Sequence, residues 1–178
     1  MQWRRPLFAL LTALLVVGGL SCLPHPDYTR VDLVDLSTGR RLLSAVLREG
    51  EEATLTWTNS IFGLPVVEVF AAEAGALVLQ EVTFADVRGV PPPTVTPAEV
   101  EDLYHTGGAF TARGVRRPLR YVVFRVGEIG NPRLRVRSQV VDFKGEVGFG
   151  GRIAWTAREA RLYEVLLPLR VLVSRLGG

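Results

Sequence analysis

The polar residues best placed for chemistry meet at one predicted hairpin. Segment 54–60 alternates threonine with apolar residues and ends on Asn59 and Ser60, and a Gly-Leu-Pro corner leads to a return strand carrying Glu68. Antiparallel pairing brings this amide, hydroxyl and carboxylate toward one hairpin tip, where they could hold a small ligand or a partner by hydrogen bonds. A structural hydrogen-bond network around the corner is the competing interpretation.

The remaining residues do not indicate a catalytic function. The two histidines, His25 and His105, lie far apart and lack Cys or acidic residues at metal-ligand spacing. Ser60 has no Gly-x-Ser-x-Gly setting and no histidine in its motif to act as a base. The glycine-rich segment 145–151 lacks the Lys-Ser/Thr of a phosphate-binding loop. We therefore predict no catalytic residue, no metal and no cofactor, and a non-enzymatic protein.

A second candidate binding feature is basic. Arg133, Arg135 and Arg137 alternate with apolar residues, which places the three guanidinium groups about 7 Å apart on one strand face. This arginine stripe could meet anionic lipid head groups, an acidic partner surface or an anionic solute. Charge that protects an edge strand from aggregation would give the same pattern.

The hairpin resembles a bacterial family of unknown function, DUF1850. Its members have a strand ending His-Ser-Val, then Thr-Pro, then a Glu early in the next strand, and later a Gly-x-Gly-x-Pro turn. The resemblance covers roughly residues 30 to 143, in the same order and at similar spacing. The matching residues here are 59–61, 64–65, Glu68 and 89–91.

This resemblance carries implications and two departures. It implies a small exported β-domain, often encoded beside TRAP-type transporters of the TAXI class, with no established activity. Asn59 stands where the family usually has His, and Val87 stands where the later turn would have its first Gly. If the family His titrates or binds metal, this chain cannot do so at that position.

The first 23 residues indicate export. Arg4 and Arg5 precede an apolar run at 7–17 and a small-residue segment that ends at Cys22, the only cysteine. We predict a periplasmic or other extracytoplasmic domain held at the membrane, through a lipidated Cys22 or a retained anchor, with plain signal-peptide cleavage as the alternative. The residues before Cys22 fit a lipoprotein signal poorly.

Composition suits one folded domain. Hydrophobic residues make up 48% of the 178 and charged residues 22%, which describes a globular chain. The formal net charge of +3 is mild, so nucleic-acid binding is not predicted.

Residues 28–150 are predicted to form an all-β domain, mainly an antiparallel sandwich or small barrel. Short apolar-polar strands are separated by turns such as 37–40, 48–51 and 74–75. A loop and helix insertion occupies 92–108, where Thr96 and Glu99 form a capping box for a helix that ends near Gly107.

The C-terminal segment 151–178 is predicted to be an amphipathic helix. Segment 156–159 repeats the capping-box pattern, and leucines and valines from Leu162 to Leu176 share one helical face, with Pro168 as a kink. This face could pack on the domain, lie on a membrane or contact a partner.

These patterns predict an exported, membrane-associated, non-enzymatic accessory domain. The resemblance implies a TRAP-type permease or its solute-binding protein as the partner. The alternative function is a small-anion binding module that uses the 59–68 hairpin and the arginine stripe.

Overall fold

The computed structural model describes residue 19 and residues 21–166. Within these residues, eleven strands are present. Their bounds are β1 Pro24–Asp35, β2 Arg41–Arg48, β3 Glu52–Thr58, β4 Pro65–Glu73, β5 Ala76–Phe84, β6 Thr94–Val95, β7 Phe110–Leu119, β8 Tyr121–Arg125, β9 Arg133–Val136, β10 Gln139–Asp142 and β11 Arg152–Arg161. Three short helices follow β6, β10 and β11: α1 Val100–Thr106, α2 Phe143–Val147 and α3 Leu162–Leu166.

The strands form two sheets that pack face to face. The small sheet has the order β2-β1-β11-β8, and the large sheet has the order β10-β9-β3-β4-β5-β7-β6. All pairs are antiparallel except β6 with β7. The predicted all-β sandwich is confirmed, and the two sheets do not close into the barrel that was the other option.

The main core lies between the sheets. Trp155 of the small sheet meets Phe70 of the large sheet edge-on, with ring centroids 5.1 Å apart. Strand alternation sends Leu33 and Leu55 into the same layer, and both are almost fully buried. Burial of such side chains stabilises the fold by about 1.5–3 kcal/mol each.

The inserted helix covers a second, smaller core. A 3₁₀ turn at Pro97–Glu99 precedes α1, and the Thr96 amide donates to the Glu99 carboxylate at 2.8 Å, which confirms the predicted capping box. Helix α1 ends at Gly107, whose φ of 81° suits glycine. Its inward residues pack over the β4-β5-β7 part of the large sheet, where Phe84 stacks on Phe110 with centroids 4.7 Å apart. One end of the large sheet is therefore covered by a helix, and the other by the small sheet.

The C-terminal segment departs from its prediction. Segment 156–159, predicted to start a helix, lies inside β11, which occupies the centre of the small sheet between β1 and β8. Pairing with two strands outweighs a local capping pattern, because the tertiary context decides between competing local preferences. The sandwich therefore extends to Arg161, and a helix begins only at Leu162. Residues 167–178, including Pro168, lie outside the described residues.

Two further parts of the large sheet differ from what the sequence pattern indicates. Segment 134–143 has the sequence pattern of a single strand, but it forms a tight hairpin of β9 and β10, because Arg137 turns the chain with a φ of 54°. Strand β7 was not predicted, since its sequence is rich in arginine and contains Gly114 and Pro118. In the part of the chain that the structure describes, no helix is both long and apolar enough to cross a membrane.

Candidate functional site

Asn59 serves the hairpin loop itself. Its side chain is buried, with 6% of the residue exposed, and its Oδ1 accepts from the amides of Ile61 and Phe62, both at 3.0 Å. Its own amide donates to the Leu64 carbonyl at 2.9 Å. This is an Asx-type turn. The side-chain oxygen of Asn59 therefore stabilises the loop, in agreement with the structural interpretation of the hairpin.

Glu68 lies on the inner face of the large sheet, away from the hairpin tip. Glu68 lies opposite Leu55 of β3, three positions before that strand ends at Thr58. Leu55 also lies opposite Leu134 of β9. Residues opposite each other in a sheet share a face, so Glu68 points toward the small sheet with these two leucines. Ser60 is exposed and lines the same cavity as Glu68, whereas Asn59 does not.

The arginine stripe lies on the opposite, outer face. Arg133 and Arg135 pair with Thr56 and Thr54, the neighbours of Leu55 on the other side of β3. The predicted module that joins the hairpin carboxylate to the stripe is therefore not formed, because the sheet itself separates them.

Two of the three stripe arginines are held by neighbours. Arg133 contacts the Asp142 carboxylate at 3.0 Å. Arg137, which lies in the turn after β9, donates to Glu51 at 2.9 Å and to the Val46 carbonyl at 2.8 Å. Arg135 is exposed and forms no ion pair with any residue that the structure describes. The Arg137 contacts hold the β9–β10 turn against Glu51 and Val46, whereas Arg133 and Asp142 pair within the hairpin.

A cleft opens between the two sheets and α1, and Glu68 lies at its centre. Three adjoining cavities of about 490, 390 and 590 Å³ share Glu68 as a lining residue. Phe124 of β8 lines the first two, and Val115 of β7 lines the last two. Concave apolar spaces of this size with a few polar groups are the usual form of a small-molecule site. We call this space the Glu68 cleft.

Tyr104 fixes the carboxylate within the cleft. Its hydroxyl, on α1, donates to Glu68 Oε1 at 2.9 Å. Burial raises the pKa of Glu68 above its ordinary value, while hydrogen bonds from Tyr104 and Trp57 and the charge of Arg117 oppose this rise. Burial and the nearby Glu68 charge also raise the pKa of Tyr104. Burial therefore shifts Glu68 toward the neutral carboxyl relative to an exposed glutamate, although the Tyr104 hydrogen bond favours the ionised form.

Cationic groups stand at the mouth of the cleft. Arg117 lies opposite Leu79 on the inner side of β7. Its positive charge acts to lower the pKa of both Glu68 and Tyr104. Arg120 lines the same cavity and donates to the Ala74 carbonyl at 3.1 Å. Neither arginine forms an ion pair with a described carboxylate, so neither charge is neutralised there. Arg120 also donates to the Gly75 carbonyl at 3.5 Å, which holds its guanidinium group at the β4–β5 turn.

Sequence reasoning found Glu68 but missed its companions. Tyr104 follows Val100 and Leu103 at helical spacing, a stripe that does identify the inward face of α1. Arg117 and Arg120 carry no comparable local signal, since arginine is frequent throughout the chain. No group of three or more His, Cys, Asp or Glu side chains within the described residues could hold a metal ion. Cys22, the predicted lipidation site, is exposed.

The fold and site define an all-β sandwich with a ligand-sized cleft between its layers. The family model described as domain of unknown function DUF1850 matches residues 53–143, which run from β3 to the start of α2. The chain belongs to this family. No curated protein and no solved structure matches it.

Proposed function

We propose that this chain is an exported, membrane-held, non-enzymatic accessory domain that works beside a TRAP-type transporter of the TAXI class. The observation that carries the membrane part is the position of the two ends. Strands β1 and β11 are antiparallel neighbours, and the Leu162 amide donates to the Leu23 carbonyl at 2.9 Å. The described chain therefore begins and ends at the same end of the sandwich, with an apolar sequence before Leu23 and an amphipathic sequence after Leu166.

Exposed apolar residues mark that end. Leu23 is 54% exposed and Leu166 is 67% exposed. Two apolar segments that leave side by side provide two membrane contacts, and two contacts hold a protein far more firmly than one.

A charged cluster fixes where the C-terminal segment departs. Glu164 of α3 contacts Arg30 of β1 at 3.0 Å and Arg158 of β11 at 2.6 Å. It also accepts from the Arg161 amide at 2.8 Å. These contacts hold α3 against the outer face of the small sheet up to Leu166.

The transporter partner is supported by the family and its resemblance alone. The accessory role fits a cleft that presents one tyrosine-bonded carboxyl. The anion-binding alternative is less well supported, since the sheet separates Glu68 from the arginine stripe.

Fractionation and purification from native membranes test this proposal. We expect the full chain to sediment with membranes, and purification in mild detergent to recover a TRAP-type permease or its solute-binding protein. A version that starts at Pro24 behind a cleavable export signal serves as the control, and a smaller share of it should sediment with membranes, since it keeps only the C-terminal contact. Cys22→Ala separates the two forms of attachment, because it releases a lipid-anchored chain and leaves a chain with a retained anchor in the membrane. A full chain that is soluble, or one that recovers no transporter component in repeated purifications, would overturn the proposal.

A further inference from the structure

The Glu68 cleft has a polarity that restricts what it can bind. Its walls are apolar over most of their length, formed by aromatic and aliphatic side chains from both sheets. The main contributors are Trp57, Phe70, Leu79, Val115, Val122 and Phe124. A ligand that fills this space must present an apolar body to it, since polar groups without hydrogen-bond partners are costly to bury.

The charges at the mouth select the head group. Arg117 and Arg120 both line the cavity of about 390 Å³, where Glu68 is the one acidic side chain. Tyr104 already donates to Glu68, and burial raises the pKa of the Glu68 carboxyl. A ligand entering here meets two guanidinium groups and one carboxyl that already accepts from Tyr104, so positive groups outnumber negative ones, which favours an anion over a cation.

The length of the cleft favours an extended molecule. Glu68 and Phe124 line both this cavity and the neighbouring one of about 490 Å³, so the space continues past the carboxyl toward Trp57 and Ser60. A head group at Arg117 and Arg120 leaves room for a chain that runs inward between β4 and β8.

We propose that the Glu68 cleft binds an amphiphilic carboxylate, with its apolar chain between the two sheets and its head group at Arg117 and Arg120. Glu68 lies beside the point where head and chain meet, and Tyr104 holds it there. This binding activity does not depend on the proposed transporter role, because it belongs to the folded domain alone.

Calorimetric titration of the full chain in detergent-free nanodiscs tests this with decanoate as the probe. Butyrate has the same head without the chain, and decyltrimethylammonium has the chain with the opposite charge. We expect decanoate to bind at least about tenfold more tightly than either, because both the apolar contact and the charge are needed. Empty nanodiscs give the background that is subtracted from each titration.

Variants locate the site. Arg117→Gln should weaken decanoate binding about tenfold, since it removes a charge-assisted contact from an exposed position. Arg113→Gln is the matched control, because it lies on the same strand, pairs with Glu81 and belongs to the outer face. It should leave the affinity unchanged. Glu68→Gln keeps the shape of the side chain and should leave decanoate binding intact or strengthen it.

Several results would overturn the proposal. Equal affinity for decanoate and butyrate would show that no chain enters the cleft. Tighter binding of decyltrimethylammonium, lost in Glu68→Gln, would show a cation site. If the chain binds phosphatidylglycerol in nanodiscs but does not bind decanoate, Arg117 and Arg120 contact a lipid surface and not a carboxylate within the cleft. Unchanged decanoate affinity in Arg117→Gln, with the fold checked by circular dichroism, would place binding elsewhere.

Discussion

Replacing Glu164 with glutamine should lower the free energy of unfolding by about 3 kcal/mol, the usual effect of breaking a buried ion pair. The side chains of Arg30 and Glu164 are only 5% and 2% exposed. Without the carboxylate, Arg30 keeps Asp32, at 2.9 Å, as its ion-pair partner, and one charge of the cluster is left uncompensated. Urea denaturation at pH 7 measures the loss.

The pH dependence of this effect has a definite direction. Burial opposes ionisation of Glu164, but hydrogen bonds from Arg158 and the Arg161 amide outweigh it and lower its pKa to about 2 from 4.5. A carboxyl with a lowered pKa stabilises the fold fully above about pH 4.5, and this contribution is lost as the pH falls toward 2. The difference between wild type and Glu164→Gln should therefore shrink across that range.

A surface pair provides the control for Glu164. Glu146 contacts Arg40 at 2.8 Å, with the two side chains 36% and 37% exposed. Glu146→Gln should cost less than about 1 kcal/mol, since solvent screens exposed ion pairs. If both glutamine variants lose the same small amount of stability, α3 is not held against the small sheet by a buried charge cluster.

Gly75→Ala should be comparably damaging, by about 3 kcal/mol, for a different reason. Gly75 and Ala74 form the two-residue turn between β4 and β5, with φ values of 71° and 45°. A Cβ at Gly75 would lie 2.5 Å from the Glu159 amide nitrogen of β11. The turn of the large sheet lies directly against the small sheet, so an added Cβ clashes with β11. This clash adds to the backbone strain of alanine at positive φ, and both lower the free energy of unfolding.

Gly50→Ala separates the two contributions. Gly50 has a φ of 79° and no heavy atom within 4 Å of an added Cβ, so only the backbone strain of about 1–2 kcal/mol applies. Thermal and urea unfolding should show Gly75→Ala to be the less stable variant by at least about 1 kcal/mol. Equal losses would contradict the close contact between the two sheets at this turn.

The predictable parts of the fold are those that local sequence determines. The alternation in β3, the turn at Ala74-Gly75 and the capping box at Thr96 each depend on residues a few positions apart. The N-terminal targeting prediction falls largely on residues 1–18 and 20, which lie outside the described residues. Local patterns thus gave the sandwich and its inserted helix.

The C-terminal strand could not be read in this way. Segment 156–159 has the residue types of a helix start, yet Thr156 and Ala157 pair with Asp32 and Val31 of β1, more than a hundred positions away. Such pairing depends on where the rest of the sheet lies, and a local pattern carries no information about it.

The candidate site also combines a residue that local sequence identifies with residues that only the fold brings together. Glu68 was identified as a candidate because it lies in a conspicuous hairpin, but the register with Leu55 turns it inward, away from Asn59. Its partner Tyr104 is 36 positions further along the chain. Their contact requires α1 to fold over the β4-β5-β7 end of the large sheet, which follows from the packing of Val100 and Phe84 and from nothing in the hairpin motif.

The most direct test of the buried carboxyl at the centre of the Glu68 cleft is an NMR titration of the Glu68 carboxyl carbon. The chain is labelled with ¹³C-glutamate, and Glu68→Gln assigns the signal. We predict a midpoint above the ordinary pKa of 4.5, because the carboxyl is buried in an apolar cleft. In Tyr104→Phe the midpoint should rise further, since the hydrogen bond that favours the ionised form is removed. A midpoint at or below 4.5, unmoved by Tyr104→Phe, would show a solvated carboxylate and contradict the account.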